Sequence, residues 1–221
     1  DYYPLDFLDR RMMQPIAPDD LLQQYAGGKL DFEPGTRWSY SNTGFILLAR
    51  VVERVSGMKF GDFLQQRIFS PLGMKQSLYE PSPKDPRVAA GYKTFALSKP
   101  FVVPPESPGW LGGAGAVAST TYDLALWDLA LMDRRLLKAE SWTVFTEPRH
   151  LQNGKSTDYA CGIGARQRSG RLTLTHSGSV SGFNAWNGFI PSTRSALALT
   201  CNREGGLDDL PGRLFDLLLR E

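Results

Sequence analysis

At 221 residues, 42% hydrophobic and 22% charged, the chain has the make-up of a globular protein able to bury one large core or two smaller ones. A formal net charge of +2, with Lys and Arg scattered along the chain, offers no surface for nucleic acid. No apolar run is long enough to span a membrane: the strongest, residues 45–55, is broken by Arg50, Glu53 and Arg54.

Residues 1–36 begin aromatic and Pro-containing, then offer a short helix over residues 18–25 that Gly27-Gly28 ends. After a loop over residues 31–38, apolar residues (Phe45, Leu48, Val52, Val55) recur at helical spacing from about 42 to 55, with Gly57 as the stop. A second helix is predicted over residues 60–69, closed by Pro71 and antiparallel to the first. Residues 80–115 are rich in Pro and Gly and read as a long loop of the kind that lines a site. Within it, Phe101, Trp110 and Leu111 suit an apolar wall or a packed core equally well. Gly112-Gly113-Ala114-Gly115 lacks the setting of a phosphate loop and reads as close backbone approach.

Thr120 and Asp123 have the spacing of a capping box, opening a helix to about Leu136, with Arg134-Arg135 at its solvated end. A shorter helix follows over 139–146. Beyond Gly154 the texture becomes β. Segments 159–166 and 171–176 flank the hairpin signal Arg168-Ser169-Gly170, and segments 182–190 and 195–201 form a second pair. An amphipathic helix over about 207–219 ends the chain. The division expected is a mostly helical part, 1–155, followed by an antiparallel sheet with a terminal helix, 156–221.

Tyr40-Ser41-Asn42 stands where a loop feeds a helix, so a phenol and an amide can face one cleft as proton carrier and hydrogen-bond arm. A tyrosine there acts as a base only where nearby positive charge lowers its pKa from about 10. The plainer alternative is a helix cap, with Ser39, Ser41 or Asn42 as N-cap and Tyr40 as packing. His176 is expected to close a strand, with Ser177-Gly178 as a permissive stretch after it. Such an edge can pair with an extended substrate and aim an N–H at a developing oxyanion. A strand-ending histidine before a turn is the competing reading. His150 reads as a surface residue. Ser56-Gly57-Met58-Lys59 matches Ser-x-x-Lys, but the glycine marks a helix end, so the pair is read as a decoy. Two His and two Cys, all far apart, argue against a structural zinc site, and no cofactor is called for. Cys161 and Cys201 sit in strand-like segments and read as buried free thiols.

Together these pieces resemble the serine β-lactamase and penicillin-binding-protein superfamily, in the branch of class C β-lactamases, D-alanyl-D-alanine peptidases and related esterases. The resemblance is carried by Pro34-Gly35-x-x-Trp38-Ser39-Tyr40-Ser41-Asn42-x-Gly44, by Pro71-Leu72-Gly73-Met74, by Gly113 to Asp123, and by His176-Ser177-Gly178 with Gly182-Phe183. It covers nearly the whole chain in the family's order. It implies a β-lactamase/transpeptidase-like α/β plus all-α fold and acyl transfer through a serine. It further implies Tyr40 as proton shuttle, Asn42 as the arm that orients the substrate amide, His176 as a cleft residue, and Ser179 as an oxyanion N–H donor. The family's Ser-x-x-Lys should precede Asp1, as should the first strands of its sheet. The chain therefore reads as a C-terminal fragment, inactive alone, with compartment undecided. Its open sheet edge calls for a complementary N-terminal segment or a dimer partner. Histidine in the third motif, where class C β-lactamases carry lysine, favours esterase or D-peptidase chemistry over β-lactam hydrolysis. A binding or scaffolding pseudoenzyme that keeps the cleft is the rival from another class.

Overall fold

The computed structural model describes residues 1–2, 6, 9–94 and 98–220; of the long loop, 95–97 lie outside the described residues. After a 3-10 turn (Arg11–Met13) come α1 (Pro18–Ala26) and α2 (Asn42–Ser56), the latter ended by Gly57 in the left-handed region at φ 69°. Next is α3 (Phe60–Leu64), which continues through a π-helical turn (Gln65–Phe69) into a last turn (Ser70–Leu72). Pro71 thus lies inside the helix instead of closing it, and Gly73 at φ 74° makes the stop. The Ser70 N–H reaches back five residues to the Gln65 carbonyl, and that wider turn accommodates a residue with no N–H of its own.

Short pairs β1 (Leu78–Tyr79) with β4 (Val117–Ala118), and β2 (Tyr92–Lys93) with β3 (Phe101–Val102), tie down the long loop. A one-turn helix, α4 (Gly112–Gly115), lies against α2. A Cβ on Gly113 would stand 2.4 Å from the Phe45 carbonyl oxygen and 2.7 Å from the Ala49 Cβ, so only glycine permits this approach. That contact selects the buried face of α2. Thr43, Ile46 and Ala49 are buried, while Leu48 and Val55 are 53% and 83% exposed and continue a stripe with Leu47 and Val51.

α5 (Thr121–Met132) is capped by the Thr120 hydroxyl, which accepts from the Asp123 N–H at 3.2 Å. The reciprocal half of the box is not made. Asp123 is buried and takes the Gln76 N–H and the Ser77 hydroxyl, each at 2.8 Å. The helix stops at Asp133, short of Leu136, because Arg134 turns to φ 55°. α6 (Ala139–Thr146) follows.

One four-stranded antiparallel sheet has the order β5 (Gly164–Arg168), β6 (Arg171–Val180), β7 (Phe183–Ile190), β8 (Ser195–Cys201). Ser169 and Gly170, at φ 49° and 73°, make the two-residue β5–β6 turn expected of a primed hairpin. β5 begins at Gly164 and not near Tyr159, since Gly162 at φ 76° breaks the extended run. Cys161 consequently lies outside any strand and is exposed; Cys201 is half-buried in β8, and both thiols are free. The last helix, α7 (Leu210–Leu218), starts later than its periodicity suggests, behind Asp208 at φ 42°. On one side of the sheet Leu174, Ala165 and Phe189 pack with Leu131 of α5 and Trp142 of α6, and on α7 Phe215 meets the Trp186 ring. A second core joins Tyr2, Met12, Leu21, Ile46 and Trp110, and a third joins α3 to Ala130 of α5.

Candidate active site

The site begins with the cap of α2. Ser41 is extended (φ −143°, ψ 114°) and its hydroxyl accepts from the Gly44 N–H at 3.0 Å. The Asp1 carboxylate takes the Asn42 and Thr43 N–H groups at 2.9 and 2.8 Å. With the helix start satisfied by its neighbours, Tyr40 is free of the capping duty and its ring is 40% exposed.

Strand β6 brings the other half. It does not end at His176 but runs on to Val180, because Val180 pairs with Phe183 across the Ser181-Gly182 turn. The long loop fixes that turn: Glu106 accepts from the Ser181 N–H at 2.9 Å, and the Ser181 hydroxyl donates to the Pro104 carbonyl at 2.8 Å. β5 pairs with β6 only as far as Thr175. From His176 onward one edge of β6 is therefore bonded to β7 while no described strand pairs with the other. Ser177, Gly178 and Ser179 are exposed there. An extended substrate can add to such an edge, whose free N–H groups can also meet an oxyanion.

Tyr40 and His176 come together across this gap, with ring centroids 6.2 Å apart. Tyr159 completes the group. Its hydroxyl is hydrogen-bonded to His176 Nε2 at 3.0 Å, and its ring stands edge-on to Tyr40 at 6.1 Å and against Trp38 at 5.5 Å. Burial pushes the Tyr40 phenol up. Burial, helped by Tyr40, pushes Tyr159 up to about 12. The His176 imidazole is pushed down by burial, against an opposing backbone hydrogen bond at Ser177. At neutral pH the cluster is thus two phenols and a neutral imidazole, able to donate and accept protons but lacking a cation that would turn Tyr40 into a base.

Asn42 opens α2, and its side chain makes no hydrogen bond to Tyr40 or His176 among the described residues. Tyr159 belongs to this cluster with no motif of its own in the sequence. The available signal was Gly162 and Gly164, which interrupt a strand pattern just after an aromatic residue. Trp110 belongs to the core: it is 3% exposed, its Nε1 donates to the Gln14 carbonyl at 2.7 Å, and Leu111 packs on the same cluster. The Ser56-x-x-Lys59 pair does not share a helix face, since Gly57 ends α2 and Lys59 is already the N-cap of α3. Beside Trp38 an open cleft of about 300 Å³ is lined by Thr36, Arg37, Leu151, Lys155, Ser156 and Thr157. Gln152 holds its walls together through the Pro34 and Gly35 carbonyls, at 2.9 and 2.8 Å.

A family model described as Beta-lactamase matches residues 1–219. The chain belongs to the Beta-lactamase family. Among curated proteins it is 34% identical over 188 residues to penicillin-binding protein 4* of Bacillus subtilis, a match covering 78% of the chain and 41% of that protein. It is 26% identical to a D-aminopeptidase of Brucella anthropi, covering 85% of the chain and 36% of that protein. Among solved structures, a penicillin-binding protein from Bacillus halodurans superposes with a TM-score of 0.78 at 26% identity, covering 91% of the chain and 63% of that structure. This Beta-lactamase family chain therefore has the β-lactamase/transpeptidase-like fold and spans roughly two-fifths of the length of those two curated relatives. Its curated relatives thus carry the names penicillin-binding protein and D-aminopeptidase. Among the described residues no helix is long and apolar enough to cross a membrane.

Proposed function

We propose that this chain supplies the proton-handling and substrate-pairing half of a serine hydrolase that acts through an acyl-enzyme on an ester, an amide or a D-amino-acid peptide. The observation that carries the reading is the meeting of Tyr40 and His176 beside the open edge of β6. A carbonyl substrate lying along Ser177-Gly178-Ser179 would present its oxygen to strand N–H groups, Ser179 foremost, with Asn42 orienting its amide. A serine from the family's Ser-x-x-Lys, outside these residues, would attack the carbonyl. Tyr40 would take the serine proton and pass it to the leaving group, and water would then release the acyl group. The lysine of that motif is the cation the Tyr40 cluster lacks among the described residues, and its approach would reverse the upward shift of the phenol. D-amino-acid amides and peptides are the favoured substrates, in keeping with the D-aminopeptidase relative. Histidine at position 176 speaks against efficient β-lactam hydrolysis.

The test uses the parent protein on matched D- and L-amino-acid anilides, simple esters and a penicillin. The expected result is turnover of the D-substrates or esters, with Tyr40→Phe lowering kcat by about 10²–10⁴-fold. Turnover unchanged by Tyr40→Phe would overturn the assignment. The rival reading, a binding pseudoenzyme, is favoured by one feature, the high phenol pKa of Tyr40. A parent that binds D-peptides yet forms no acyl adduct would establish it.

A further inference from the structure

Held by the residue that pairs with His176 across β6 and β7, one buried carboxyl is only half satisfied. Asp128 of α5 is fully buried, and the Asn187 side-chain amide donates to its Oδ1 at 2.8 Å. Asp128 Oδ2 and Asn187 Oδ1 are both buried, and neither has a partner among the described residues. An ionised carboxylate and an amide oxygen are both acceptors, so neither can relieve the other. A proton on Oδ2 changes that. The acid then donates to the amide oxygen while the amide donates to the acid, and no polar atom is left over. Asp123, five residues earlier on the same helix, shows the contrasting solution: it is equally buried, but two donors converge on its Oδ2.

We propose that Asp128 is held as a neutral acid doubly hydrogen-bonded to Asn187, and that this pair is a pH-sensitive latch fastening α5 to β7 next to His176. Asn187 and His176 are directly opposed in the β6–β7 register, so their side chains share one face of the sheet. Among the described residues the surroundings offer no counter-charge. β7 has no ionisable side chain, β8 has only Cys201, and the Ser70–Leu72 turn has none. On α5, Tyr122 is exposed and Asp123 is engaged as above; past its end Asp133 pairs with Arg194. The imidazole of His176 is kept neutral by burial. Burial accordingly pushes the Asp128 carboxyl up from 3.8 to about 7, with the Asn187 bond opposing. Because the folded value is the higher one, the latch contributes fully below the unfolded value and is lost as pH rises through about 7. Deprotonation sets a carboxylate oxygen against the amide oxygen and loosens the strand that backs His176. Any effect on catalysis rests on the hydrolase reading above; the latch does not.

The test therefore reads no activity. Carboxyl ¹³C NMR of this chain, labelled at aspartate, should show one resonance titrating near neutrality that disappears in Asp128→Asn. Thermal denaturation should give a Tm that falls by several degrees between about pH 6 and 8 in the native chain. Asp128→Asn preserves both hydrogen bonds without a titratable proton and should flatten that slope. Aspartates that all titrate in the acid range, or a slope unchanged in Asp128→Asn, would overturn the latch. Should the variant fail to fold, the native-chain NMR titration alone decides.

Discussion

Tyr40 and His176 stand out as candidates in the sequence because each announces itself locally, one at a helix entrance and one at an expected strand end. Tyr159 does not, because its role depends on a hydroxyl reaching His176 Nε2 across an irregular segment, 3.0 Å away in space and with no periodicity to mark it. Two outcomes are expected at this scale. Burial lowers the His176 pKa, so NMR should find it titrating below the ordinary 6.5 of histidine. With the folded value the lower one, this residue's contribution to stability is present above 6.5 and lost as pH falls through it. Tyr159→Phe should cost about 1 kcal/mol in urea denaturation by leaving a part-buried ring nitrogen without its partner. No change in stability would mean that the contact is idle.

The cap of α2 is the element on which the site's geometry depends. Ser41→Ala should destabilise the chain by about 1 kcal/mol, since the Gly44 N–H loses its acceptor. Gly113→Ala should be worse, at about 1–3 kcal/mol, because its methyl group must push α4 away from the Phe45 carbonyl. Equal midpoints for Gly113→Ala and the native chain would show that the approach is looser than the structure has it. An element with both a start and a stop signal, such as α2, could be read closely. Elements whose limits are set by distant partners could not. β6 gains its last residues from pairing with β7, and α3 passes Pro71 because a π turn absorbs it. The buried face of α2 was not legible for the same reason. Its two apolar stripes are equivalent by periodicity, and only the glycine turn of α4 chooses between them.

For the whole molecule, two surfaces ask for cover. Leu47, Val51 and Val55 make an exposed apolar stripe on α2, and the outer edge of β8 has no described strand beside it. The remainder of the parent protein is the occupant we expect for both. Alone, the chain should self-associate in sedimentation velocity, and Val51→Lys with Val55→Glu should shift it toward monomer. Tyr40 and His176 are proposed to serve a nucleophile that lies outside these residues. That proposal is tested most directly by intact-mass analysis of this chain after incubation with a fluorophosphonate and, separately, with penicillin. The mass should stay unmodified in both cases. A stoichiometric adduct on any one serine would contradict the proposal.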